Sequence, residues 1–315
     1  MKPVVPFVSQ TTGHERAVWL TALPEALSDI ATVKPISDMT KAERAAARVA
    51  IVANPDVAEL AHLPDLQWVH SLWAGVERLA ADLPQDGPKI VRLEDPQMAE
   101  TMSEAVLAWT LYLHRDMPRY AAQQHRKLWL EHPLKRPNER TVAVLGLGNL
   151  GTAAAKRLAG NGFDVCGWSR SHKEIAGIAT FSGENGLAEV LSKADIVVIL
   201  LPLTDATRGL VGKEALSRMP AGGSVINFAR GPILDTGALT SALDQGHLSH
   251  AVLDVFDQEP LPDESPLWDH PKITILPHIS APTITATATK ILAANIGRYF
   301  ETGDIPAHVD RKRGY

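Results

Sequence analysis

Short apolar runs alternate with longer amphipathic stretches along the whole chain. That is the pattern of strands feeding helices in α/β proteins built on parallel sheet. A strand covered on both faces has no solvent side to make polar, so it reads as a continuous apolar run. In the first hundred residues VVPFVS, RVAIVAN, QWVHSL and KIVRL have that form. Helical spacing appears between them at Ala17–Leu27, Val57–Leu63 and Val76–Leu79. Residues 98–127 then hold a helical period throughout, with Pro118 inside it. Proline removes an amide donor and clashes with the preceding turn, so a kink or break is expected there. The proline-rich, charged segment LEHPLKRPNER, residues 130–140, is expected to be a loop.

A second series begins at TVAVLGLGNLG. Strands are expected at FDVCGW, DIVVILL, GGSVINFA, LSHAVLDV and KITILP, with helices after Leu150, Leu187, Lys213, Asp235 and Pro282. Two series joined by helices predict two α/β domains. The smaller comprises residues 1–97 and 286–315, the larger residues 98–285.

The larger series opens with strand, glycine turn, helix and strand in order. Gly146, Gly148 and Gly151 form G-x-G-x-x-G at the strand-to-helix turn. The first glycine permits the tight turn, the second lets backbone approach a pyrophosphate, and the third lets helix pack on strand. The amides of Asn149 and Leu150 would open the helix, whose N-terminus presents free N–H groups and partial positive charge. A plain structural turn is the competing reading; the strand–helix–strand setting favours dinucleotide binding.

In proteins of this kind the second strand usually ends in Asp or Glu, which binds the ribose 2′-hydroxyl. Here the strand runs into Ser169, Arg170, Ser171, His172 and Lys173. A carboxylate would repel a 2′-phosphate, whereas hydroxyls, a guanidinium and an ammonium can bind one. NADPH is therefore the expected cofactor, with NAD possible. A solvated basic loop is the alternative.

Composition narrows the class further. The 315 residues are 45% hydrophobic, ample for two cores. A net charge of −5 gives no reason to expect nucleic acid as a partner. The single Cys166 lies in an apolar run and reads as packing. No His/Cys cluster has metal-ligand spacing, and no run of about 18 apolar residues could span a membrane. The expectation is a cytoplasmic protein without metal or membrane partner.

Three later segments end at or just beyond expected strands: INFARG with Arg230, LDVFDQEPLP with Asp254 and Glu259, and ILPHIS with His278. In open α/β sheets ligands bind on that side. Each residue alone has an ordinary reading, as a surface charge or a loop histidine. Asp254 could serve the nicotinamide end of the cofactor or cap a helix.

The set GLGNLG, LPLTDATRGL, INFARG, DVFDQEP and PHIS resembles the D-isomer-specific 2-hydroxyacid dehydrogenases over nearly the whole chain. WSRS, SPLW and VDRKRGY are similar to the A branch of the glyoxylate/hydroxypyruvate reductases. The resemblance implies two Rossmann-like domains, an NAD(P)-binding one and a smaller flavodoxin-like substrate domain. It implies Arg230 as ligand of the substrate carboxylate and carbonyl, His278 as general acid, and Glu259 as the group orienting the imidazole and raising its pKa. Leu201, Pro202, Thr207, Ala229 and Asp254 would line the cofactor. Trp73, Ala74 and Gly75, in SLWAGVERL, would form the substrate turn with Arg230 and His278, although Trp73 could equally be core. Trp129 could border the pocket or pack on a helix. The branch often carries a second arginine where His172 stands. The helix bearing Val106, Leu107, Trp109 and Leu111 would contribute to a homodimer. The implied activity is NADPH-dependent reduction of a small 2-oxo acid, glyoxylate or hydroxypyruvate. Phosphoglycerate or bulkier 2-oxo acids are the alternatives, and a dinucleotide-sensing binding protein is a further one.

Overall fold

The computed structural model describes residues 2–310. Most of the VDRKRGY tail therefore lies outside the described residues. The chain divides into two compact units, Met1–Gln97 with Thr283–Tyr315, and Met98–Pro282. The return to the first unit comes at Thr283, three residues before the position expected from sequence.

The first unit contains β1 (Val4–Ser9), α1 (Gly13–Ala26), β2 (Thr32–Pro35), α2 (Lys41–Ala46), β3 (Val49–Ala53), α3 (Val57–Leu60), β4 (Trp68–Ser71), α4 (Glu77–Asp82) and β5 (Lys89–Val91). The strands pair in the order β2-β1-β3-β4-β5, all parallel. That is the flavodoxin-like order. Strand β3, VAIVA, is buried at every position, as its unbroken apolar run requires. Edge strand β2, TVKP, is half exposed, which is why its sequence resembles a loop. Helix α2 begins in a capping box between Thr40 and Glu43, a local device that needs no apolar face.

The chain then crosses through α5 (Pro96–His114) into α6 (Met117–His125). The expected single helix is two. The break falls at Asp116, in the left-handed region at φ 53, just before Pro118. Proline at the first turn of α6 loses no bond, because the first amides of a helix have no internal partner. After α6 the chain is irregular to residue 136.

The second unit continues with β6 (Thr141–Leu145), α7 (Asn149–Gly160), β7 (Asp164–Ser169), β8 (Ala179–Ser182), α8 (Gly183–Lys193), β9 (Ile196–Ile199), α9 (Lys213–Arg218), β10 (Gly223–Asn227), α10 (Thr236–Asp244), β11 (Leu248–Leu253) and β12 (Ile273–Ile275). Helix α11 (Thr285–Thr302) belongs to the first unit. The seven strands pair in the order β12-β11-β10-β9-β6-β7-β8, all parallel. The order reverses between β6 and β9, the switch point where open sheets of this type bind ligands. Both units are Rossmann-like α/β layers. Among the described residues no helix is long and apolar enough to cross a membrane. Cys166 is buried on β7 and burial pushes its thiol up to about 11, so it packs as an inert side chain.

Candidate active site

The glycine turn sits at the switch point. Gly146 follows β6 at φ 104, and its amide donates to the Trp168 carbonyl at 2.8 Å. A Cβ there would come within 2.6 Å of the Leu200 carbonyl oxygen, beside the end of β9. A Cβ on Gly151 would meet the Gly146 carbonyl at 1.7 Å. A Cβ on Gly148, by contrast, would find nothing within 4 Å. Two glycines are thus forced by packing, and the third faces open space. Gly148 is the N-cap of α7, so the amides of Asn149, Leu150 and Gly151 form the first helical turn. Such a turn is suited to phosphate oxygens.

The basic loop after β7 is tied to this turn. Lys173 Nζ donates to the Leu147 carbonyl at 2.6 Å, so its charge lies against the glycine loop. An open groove of about 680 Å³ includes Gly148, Asn149, Thr152, Lys156 and Lys173 in its lining. Ser169 is buried, and its hydroxyl donates to the Ser171 carbonyl at 2.8 Å. Ser169 thus shapes the loop in this structure, while Arg170 and Ser171 are exposed. There is no carboxylate between Ser169 and Lys173. Backbone open to close approach at Gly148, a helix N-terminus and basic side chains fit a dinucleotide with an extra phosphate.

Two expected cofactor contacts also have structural roles. The Leu201 side chain is buried in the core of the second unit. The Thr207 hydroxyl donates to the Pro202 carbonyl at 2.7 Å and accepts the Thr204 amide at 2.8 Å. It closes the LPLT turn from within.

The chemistry-bearing residues gather after β10, β11 and β12. His278 Nδ1 lies 2.7 Å from Glu259 Oε2, and Glu259 Oε1 accepts the Phe256 amide at 2.9 Å. With Nδ1 engaged, Nε2 is the nitrogen that can hand on a proton. The Glu259 hydrogen bond raises the pKa of His278; burial and the nearby Arg230 charge oppose it without cancelling it. Burial pushes Glu259 up, but the bonds from His278 and the Phe256 amide, with the Arg230 charge, bring it below its ordinary value. Each partner's shift thus favours its charged form. A cis peptide joins Glu259 to Pro260.

His278 has φ 55, left-handed backbone that non-glycine residues avoid. The turn is held by Asp254, which is almost fully buried. Its Oδ1 accepts the Ile279 amide at 2.7 Å and its Oδ2 accepts the Ser280 amide at 2.9 Å. The sequence reading gave Asp254 to the nicotinamide or to a helix cap. Here each oxygen accepts one amide of the turn that carries His278, and no helix begins there.

Arg230 follows β10 after Phe228 and Ala229, and its Nη1 donates to the Ala229 carbonyl at 2.6 Å. The loop packs closely because residue 231 is glycine. A Cβ there would lie 2.1 Å from the Phe256 carbonyl carbon. Gly231 and Asn227 were not singled out from sequence; a glycine directly after the arginine and an asparagine ending a strand were the available signals.

In the first unit, Ala74 and Gly75 form the turn from β4 to Val76, the N-cap of α4. Trp73 packs with the core of that unit, edge-on to Trp19 at 6.1 Å between centroids. It is half-buried, so packing on the core leaves part of the ring exposed. Trp129 is 96% exposed, which removes the helix-packing reading. Val106 is fully buried, with Leu107 and Trp109 packed against the same core; Leu111 is exposed.

The family model for the D-isomer specific 2-hydroxyacid dehydrogenase NAD binding domain matches residues 107–280. A D-isomer specific 2-hydroxyacid dehydrogenase from Xanthobacter autotrophicus Py2, in complex with NADPH and MES, is 38% identical over 100% of both chains, with a TM-score of 0.90. A probable 2-hydroxyacid dehydrogenase from Rhizobium etli CFN 42, with NADP, HEPES and L(+)-tartaric acid, is 32% identical over 100% of both, at 0.87. An NADPH-dependent glyoxylate/hydroxypyruvate reductase from Sinorhizobium meliloti, with NADP and sulfate, is 29% identical over 100% of both, at 0.86. The chain belongs to the D-isomer specific 2-hydroxyacid dehydrogenases, a family of NAD(P)-dependent oxidoreductases.

Proposed function

We propose that this chain reduces small 2-oxo acids, glyoxylate and hydroxypyruvate, with NADPH, giving glycolate and D-glycerate. The observation that carries the reading is the Glu259–His278 pair at 2.7 Å beside the charge of Arg230. It supplies a proton donor and an anion ligand at the same strand ends. Arg230 holds the carboxylate and polarises the carbonyl by its fixed charge. His278 Nε2 gives its proton to the oxygen as negative charge develops there, and Glu259 keeps the ring oriented and charged. The bound dinucleotide supplies the hydride. Gly148 and the first turn of α7 take the pyrophosphate, and Arg170, Ser171 and Lys173 take the 2′-phosphate. NADP(H) in the complexes of the Xanthobacter and Sinorhizobium proteins supports the cofactor choice. Exposed Leu111, Leu128, Trp129 and Leu130 support a homodimer.

The test is kcat/KM for both oxo acids with NADPH and with NADH, in the wild type and in Ser169→Asp. We expect NADPH to be favoured at least about tenfold, and the aspartate, by repelling a 2′-phosphate, to reverse the order. A wild type faster with NADH would remove the phosphate site. A wild type inactive on both acids would remove the substrate assignment.

A further inference from the structure

Asn227 is the last residue of β10 and almost fully buried. Its side chain turns back on the loop that carries Arg230. Oδ1 accepts the Ala229 amide at 3.2 Å, and Nδ2 donates to the Arg230 carbonyl at 3.2 Å. Both partners are main-chain groups of fixed polarity, so the amide can sit only one way round. Its own carbonyl accepts the Asp254 amide at 3.1 Å. Asp254 in turn holds the Ile279 and Ser280 amides. An unbroken line of bonds thus runs from the Arg230 backbone through Asn227 and Asp254 to the turn of His278. Without its amide, residues 228–230 would have a buried N–H and a part-buried carbonyl to place elsewhere, at a cost. Gly231, packed against Phe256, leaves little room to place them.

We propose that Asn227 is a positioning residue: its side-chain amide fixes the backbone from which Arg230 reaches the substrate carboxylate. It touches neither substrate nor cofactor and acts through Arg230. The inference rests on the reading of Arg230 as carboxylate ligand.

The test uses Asn227→Asp and Asn227→Ala, Arg230→Lys, and the double variants. Asn227→Asp keeps the shape and the acceptor for Ala229 but loses the donor to the Arg230 carbonyl. With the 2-oxo acid that the wild type reduces fastest, we expect KM to rise about tenfold in Asn227→Asp, while the NADPH Kd stays within about twofold. Adding Arg230→Lys should cost much less in the Asn227→Asp background than in the wild type, because groups acting as one unit are not additive. A strictly additive pair, or an unchanged KM in Asn227→Asp, overturns the proposal. So does a loss confined to thermal stability. If Asn227→Ala does not fold, the aspartate variant alone decides. A KM untouched by Arg230→Lys overturns the reading of Arg230 itself. A KM raised by Arg230→Lys but not by the Asn227 variants overturns only the role of Asn227.

Discussion

The first strand of each sheet ends in a turn to a helix, and the two turns are built in opposite ways. In the first unit the turn from β1 to α1 is tied by side chains. The Ser9 and Thr11 hydroxyls lie 2.7 Å apart, and Arg16 Nη1 donates to the Ser9 carbonyl at 3.0 Å. In the second unit the corresponding turn has lost its side chains at Gly146, Gly148 and Gly151. Space lies before Gly148, where a Cβ would meet nothing. One scaffold makes a strand end tied by side-chain bonds and one built on glycines; the difference is side chains, not topology.

The histidines repeat the contrast. His70, on β4, is fully buried. Its Nδ1 donates to the Ser71 carbonyl at 2.9 Å, and its Nε2 accepts from Asn295 Nδ2 at 3.0 Å. Burial brings its pKa down to about 4 despite the bond to Ser71. His278 is half exposed on a left-handed turn and its pKa is raised by a carboxylate. One histidine, its charged form disfavoured by burial, joins a strand to a helix; the other has its charged form favoured by a carboxylate.

The sharpest way to break this contrast is His278→Asn, since asparagine tolerates the left-handed backbone. We expect kcat/KM to fall about 10²- to 10⁴-fold with NADPH binding retained, read by steady-state kinetics and calorimetry. Full turnover would make the two histidines equivalent in function.

The second test concerns stability. The unfolded state protonates His70 near pH 6.5, the folded state only near pH 4. Its depressed pKa means that stability is whole above pH 6.5 and is lost as pH falls towards 4, by about 3 kcal/mol. Urea midpoints at pH 7.5 and 5 should separate by less in His70→Gln than in the wild type. Equal separations would mean that His70 takes no part.

The smallest effect is a displaced curve. The acid form of His278 is present below its raised pKa, so oxo-acid reduction should decline as pH rises through that value. In Glu259→Gln the bond that raises it is weakened, and the declining limb of kcat/KM should move to lower pH. A limb that stays in place would take the imidazolium out of the carboxylate's control.

The sequence was most legible where one demand dominated. Fully buried strands such as VAIVA and IVVI must be apolar throughout, so they stand out. The half-exposed edge strands TVKP and ATFS answer to no such demand and read as loops. The break between α5 and α6 was signalled by Pro118, but its position was set by the backbone of Asp116, which composition does not reveal. In the site, Arg230, Glu259 and His278 each had an ordinary reading alone and were visible only as a set, in motifs placed at successive strand ends. Asp254 was visible as a carboxylate, yet its bonds to the Ile279 and Ser280 amides depend on the close pairing of β11 and β12. Asn227 and Gly231 were missed because they act on backbone, one by bonding it and one by yielding room to it.

Gly231 has a consequence for redesign. The Arg230 loop and the Phe256–Glu259 loop share a volume that cannot admit one methyl group. They behave as a single casting. An engineer who grafts a new anion-binding loop after β10 must recast the segment after β11 with it, and substrate range cannot be tuned there one loop at a time.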